Sequence, residues 1–176
     1  MRRRSLVMSL LGAVIVVVTG LAFAILPSED HETRIIRPSW AFDLADPEEV
    51  AGFVDHIFVG RVIAPGRSVT RGEGIPSTDF DVSVLDVVQG GPPARTTVRQ
   101  IGGHTSDGTF VVEGQPLLEA GSTYLLAVSD ADGGSLQLLG SPIAATMVNS
   151  PEERRRVLEA WRVASQNRRA PDTLTR

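Results

Sequence analysis

The residues of this 176-residue chain best equipped for chemistry share one glycine-rich loop, "VRQIGGHTSDGTFVVEGQ", from Val98 to Gln115. It places His104, Ser106 and Asp107 close together. An imidazole can serve as general base to a neighbouring hydroxyl, and an imidazole beside a carboxylate can begin a metal site. Two activities could follow: a hydrolase using His104 as base, or a metal protein with His104 and Asp107 as ligands. Both need further groups. A zinc site takes three or four protein ligands, and the remaining histidines, His31 and His56, have no ligand-like spacing to this loop. The chain has no cysteine, which removes thiolate catalysis, thiolate metal sites and disulfides. It carries no P-loop, no dinucleotide fingerprint and no G-x-S-x-G elbow. The competing account is a turn. Gly102 and Gly103 can take positive φ and end a strand, and Asp107-Gly108 is a turn signal. The turn is the preferred expectation, with no catalytic, cofactor or metal residue assigned; His104 and Asp107 are where the metal or hydrolase alternative would rest.

A second pair of acids, Asp79 and Asp81, lies two apart in a strand-like run, so both point to one face. Paired carboxylates can bind calcium or do acid–base work. Their expected role here is blander: a charged solvent face on an edge strand, where charge blocks edge-to-edge pairing. The run "DADGG", 130–134, resembles part of a calcium loop but lacks its twelfth-position Glu, and reads as a hairpin turn.

The elements that must position these residues are short. Asp46 as N-cap, Pro47 at N1 and Glu48 and Glu49 in the first turn predict a helix over 47–53. A strand follows over 57–64, with Ile57, Val59 and Ile63 on one face and Phe58 and Val62 on the other. "PGRSVTRGEGIPST" predicts a loop of about fourteen residues. "DFDVSVLDVVQGG" is the clearest strand, with Phe80, Val82 and Val84 alternating against Asp79, Asp81 and Ser83. Its phase blurs at Leu85, Val87 and Val88, as a bulge or sharp curl requires. "RTTVRQI", "TFVV", "STYLLAVS", "SLQLLG" and "PIAATMV" add short strands between Gly-rich or Asp-Gly turns. Ser150 as N-cap, Pro151 at N1 and Glu153 at N3 open a helix over 150–168. Its Val157, Leu158, Trp161 and Ala164 stripe is expected to pack on the barrel, and its arginines to form a solvated face, with an acidic lipid or polymer as the alternative partner. Such strands at regular spacing predict a mainly β, small OB-like barrel over 46–149.

Ahead of that domain, Arg2, Arg3 and Arg4 precede an uncharged run from Leu6 to Leu26. As a helix its 21 residues would span about 31 Å at ~1.5 Å per residue, close to the ~30 Å hydrocarbon core. The arginines predict that everything after the run faces outward. Residues 1–26 therefore read as a transmembrane anchor, giving a single-pass membrane protein with an extracytoplasmic domain. Alternatively they are a signal peptide cut after "AFA" at Ala22–Ala24, giving a secreted protein. Residues 27–45 read as a linker whose Ile35, Ile36, Trp40 and Phe42 dock on the domain, and residues 169–176 as a disordered tail. After residue 26 there are 14 Arg against 21 Asp and Glu, a net of −7, and only 5% of the whole chain is aromatic. That balance disfavours nucleic acid, which wants a basic face and stacking platforms.

"ADPEEVAGFVDHIFVGRVI", "FDVSVLDVVQGG", "TVRQIGG" and "LLEAGSTYLLAV" together resemble bacterial extracytoplasmic domains with an OB-like barrel of the netrin/TIMP type, over residues 45–148. The resemblance implies a barrel and not a chemistry, because its motifs are turns and strand ends. Animal members use cysteines, including an N-terminal one in the metalloprotease inhibitors, so inhibition by that route does not carry over. The expected function is non-catalytic: a membrane-anchored or secreted module that binds an envelope protein or polymer and needs no cofactor.

Overall fold

The computed structural model describes residues 32–37, 43–70 and 74–170. The expected anchor or signal segment, the docking residues Trp40 and Phe42, His31 and most of the tail lie outside them. None of the described helices is long and apolar enough to cross a membrane.

The described residues form eight strands and two α-helices. In chain order they are β1 (Thr33–Ile36), α1 (Pro47–Phe53), β2 (His56–Thr70), β3 (Pro76–Gln89), β4 (Arg95–Thr105), β5 (Gly108–Val112), β6 (Thr123–Asp130), β7 (Leu136–Leu138), β8 (Ala145–Met147) and α2 (Pro151–Gln166). Neighbours run β4-β3-β2-β6-β7, and β7 then pairs in parallel with β4 through Val98 opposite Leu136. That pairing closes a five-stranded barrel, consistent with an OB-like barrel at the level of fold. β8 lies beside β6, and β5 continues from β4 as a hairpin that carries β1 in parallel on its outer edge.

Alternation decides what fills the barrel. Phe58, Gly60 and Val62 share one face of β2; Val82 stands opposite Val62, and Val98 opposite Phe80. All the apolar members are 2% exposed or less. Gly60 is required there, because a Cβ would stand 2.5 Å from Val82 Cγ1 and 3.0 Å from Phe58. Register shifts opposite Leu85 and Val88 bend β3 where the hydrophobic phase blurs. The opposite face of β2 changes character along its length. Ile57 and Val59 are fully buried, in one cluster with Val50, Ala51, Leu158 and Trp161 of the two helices, whereas Ile63 is 43% exposed.

The helices are held over that first half by named bonds. Asp46 accepts from the N–H groups of Glu48 and Glu49, and the first of these bonds, with Arg169 nearby, holds its carboxyl below the usual carboxylate range. Ser150 caps α2 at Glu153 N, while the Glu153 carboxylate takes Asn149 N–H and not that of the cap residue itself. The Gln89 amide donates to Ala51 O of α1 and to Val54 O at its C-cap, and its oxygen accepts from Ser165 of α2. Arg154 of α2 pairs with Asp86 of β3. As expected, the Leu158, Trp161 and Ala164 stripe is buried, with Val157 half-buried.

Two expectations need correction. The loop after β2 is far shorter than fourteen residues: β2 and β3 run on as a hairpin, with Val69 opposite Ser77 and Thr70 opposite Pro76. Pro65 and Gly66 sit inside the strand, where register shifts absorb them and β2 has lost its β6 neighbour. Second, β3 is no edge strand. It lies between β2 and β4, so the acids on it do not guard an edge.

Candidate functional site

The hairpin that carries His104 is built by hydroxyls and glycines. β4 continues through Gly102 and Gly103, at φ 111° and 152°, to pair Thr105 with Gly108, so Ser106 and Asp107 alone form the turn. Thr78 Oγ1 donates to Gly102 O at 2.9 Å, so the 2.8 Å contact between Ser68 and Thr78 has Ser68 as its donor. Ser68 Oγ in turn accepts from His104 N at 3.1 Å. A Cβ on Gly103 would collide with both hydroxyls. The chain of hydroxyls pins the bent end of β4 onto the β2–β3 hairpin, which accounts for the two glycines structurally.

The side chains that remain point away from a shared centre. His104 Nδ1 meets Thr109 Oγ1 at 2.9 Å, across the strand pair. Among the described residues Asp107 Oδ1 accepts only from its neighbour Ser106, at 3.4 Å, and the Asp107 backbone N–H donates to Thr105 Oγ1 at 3.1 Å. Among the described residues no hydrogen bond or ion pair joins His104 to Asp107, and no three His, Asp or Glu side chains gather as a metal site would need. His104→Ala and Asp107→Ala are expected to leave the unfolding midpoint within about 0.5 kcal/mol of the parent, and any partner affinity unchanged. Urea denaturation and binding on the same preparations measure both; loss of binding in either variant would make the hairpin a site.

His56 is a structural histidine. Its Nδ1 accepts from Gly91 N at 3.2 Å, so the proton sits on Nε2, which donates to Asp130 at 3.0 Å. Asp130 is tied again through its N–H to Asp55. The "DADGG" run turns between β6 and β7 as expected, with positive φ at Gly133 and Gly134.

A different surface presents uncommitted charged groups. Beyond the part packed against α1 and α2, no described helix covers the outer face of β2, β3 and β4. It is arranged in rows set by register. One row is self-neutral: Asp79 opposite Arg99, joined at 2.8 Å, with Gln137 of β7 opposite Arg99 in turn. The Asp79 hydrogen bond raises the Arg99 guanidinium above its ordinary value. In the next row Asp81 faces Thr97. In the next, Arg61 faces Ser83 and Ser83 faces Arg95. The side chains of Asp81, Arg61 and Arg95 make no hydrogen bond or ion pair with a described residue. A shallow recess of about 360 Å³ lies beside them, lined by Asp81, Arg95, Thr97 and Gly134.

The sequence pattern singled out Asp79 and Asp81 but passed over Arg61, Ser83, Arg95 and Arg99. Alternation marks each as outward-facing on its own strand; only register puts them side by side. No protein-family model matches this sequence, and none of the curated proteins matches it either.

Proposed function

We propose that the chain is a non-catalytic extracytoplasmic module, tethered by residues 6–26 or released after Ala24, that binds an envelope protein or polymer. We further assign the barrel to the netrin/TIMP-like branch of OB-like folds. The ordering of the motifs over residues 45–148 supports this assignment: a short helix leads into β2, β3 ends at a glycine turn at Gly90, and a turn at Gly121 opens β6. The observation that carries the binding reading is the outer face of β2–β3–β4 that no described helix covers. Uncommitted charged side chains there are held by a closed barrel, a rigid frame on which recognition needs no reordering of the backbone. His104, turned to Thr109, offers no comparable arrangement for hydrolysis.

The absence of native cysteine allows a clean test. Single cysteines replacing Thr97 on that face, or His104 on the hairpin, are loaded with a thiol-directed photo-crosslinker in the full chain within its own cells. The expected result is an adduct with an envelope component from position 97, outside the cytoplasmic membrane, and little from 104. Equal adducts from both positions, or a protein recovered intact in the cytoplasm, would overturn the proposal.

A further inference from the structure

We infer that the row Arg61–Ser83–Arg95, continued through Thr123 to Arg155, is a docking strip for an acidic segment of a partner protein. This deepens the proposed binding function and rests on it.

The strip is a product of register. Thr123 of β6 stands opposite Arg61 of β2, Arg61 opposite Ser83 of β3, and Ser83 opposite Arg95 of β4. Directly opposed residues share a face, so hydroxyl and guanidinium alternate across four strands. With strands ~4.8 Å apart, the two arginine Cα atoms lie about 10 Å from each other. Thr123 also lines a cleft of about 410 Å³ against the start of α2, shared with Asn149, Arg154 and Arg155. Arg154 is engaged by Asp86, but Arg155 has no ion-pair partner among the described residues and is exposed.

The charge of the strip runs against that of the domain. Residues 27–176 carry a net charge of −7, yet among the described residues no carboxylate is bound to Arg61, Arg95 or Arg155. One row away, Asp79 and Arg99 show that this face can neutralise itself when both signs are placed in register. Leaving guanidinia unpaired contributes nothing to stability, whereas presenting forked donors beside hydroxyls suits oxyanion recognition.

The neighbours of the strip favour a protein over a phosphate polymer or lipid. Asp81, one row along and also uncommitted, would repel a uniformly anionic chain. Ile63, 43% exposed on the same face of β2, would gain nothing from one. A peptide with carboxylates for Arg61 and Arg95, a cation for Asp81 and an apolar side chain for Ile63 satisfies all three. The surface is open and shallow, which suits a macromolecular segment better than a small ligand, whose sites are concave.

The test uses the full chain in non-ionic detergent and a short fluorescent acidic peptide that carries glutamates together with one lysine and one leucine, read by anisotropy. Saturable binding is expected, weakened about tenfold or more in the double variant Arg61→Gln/Arg95→Gln and unchanged within about twofold in Arg168→Gln. Circular dichroism of each variant should match the parent, since the replaced side chains are exposed. Three outcomes would overturn the inference: no saturable binding, equal loss in Arg168→Gln, or inorganic polyphosphate binding as tightly as the peptide. If the position-97 adduct persists while the acidic peptide is ignored, the strip is wrong and the binding module stands. If both fail, the functional proposal falls with it.

Discussion

Val82→Asp is expected to leave the chain unfolded at room temperature. Val82 is fully buried at the centre of the barrel, opposite Val62 on β2 and Thr96 on β4, and close enough to Gly60 that no Cβ fits between them. An ionised carboxylate there has neither water nor a cation, and protonating it still leaves a polar group among methyl groups. Either route costs several kcal/mol, against a total stability of about 5–15 kcal/mol for a domain of this kind. Loss of the β-type circular dichroism spectrum and of the cooperative urea transition would report it. A folded Val82→Asp variant with parental stability would show that β3 is not a barrel wall. Ser83→Asp is the control. Its side chain points outward between Arg61 and Arg95, so this variant should fold normally.

Trp161→Ala is expected to cost about 3–5 kcal/mol, the range for truncating a buried large aromatic side chain, and to lower the thermal midpoint by roughly 10 °C or more. Trp161 is 6% exposed and packs with Leu158 into the same apolar cluster as Val50, Ile57 and Val59. Removing it opens a void between α2 and the outer side of β2. The backbone cannot close the void readily, because Gln89, Ser165, Arg154 and Asp86 tie the helix in place on both sides. Scanning calorimetry measures the shift. A change under ~1 kcal/mol would mean that α2 does not pack on the barrel, and the apolar stripe would then be free for a partner.

Much of this architecture was legible locally. The first helix appears over the predicted residues because Asp46, Pro47, Glu48 and Glu49 each satisfy an N-terminal requirement of a helix without help from elsewhere. The same holds for Ser150 and Pro151 at the second helix. Blurred alternation after Val84 correctly marked the bulges in β3. The β2–β3 hairpin was misread because Pro and Gly are ordinarily loop residues. Here β2 is an edge beyond Val62, and an edge tolerates a proline that donates no ladder bond. β1 was read as part of a linker whose isoleucines dock on the domain. Its docking is a backbone ladder, with Ile35 opposite Val111 and Ile36 opposite Val112, and backbone pairing leaves no mark in side-chain pattern. Gly102 and Gly103 were expected to end β4; instead they bend it, because positive φ redirects a strand without ending its hydrogen bonding when a partner such as β5 is present.

By itself the sequence determined the element types, the caps, the alternation that separates inward from outward residues, and an acidic domain without cysteine. These follow from short-range rules: what one residue does to its own backbone, and which side its neighbours take. Tertiary structure alone decided which strands are neighbours and in what register. That choice made β3 an interior strand, closed the barrel through β4 and β7, and turned His104 toward Thr109 and away from Asp107. It also set Arg61, Ser83 and Arg95 in one row although they are far apart in the chain. Register depends on how the whole hydrophobic set fits into one closed interior, so no local stretch contains it.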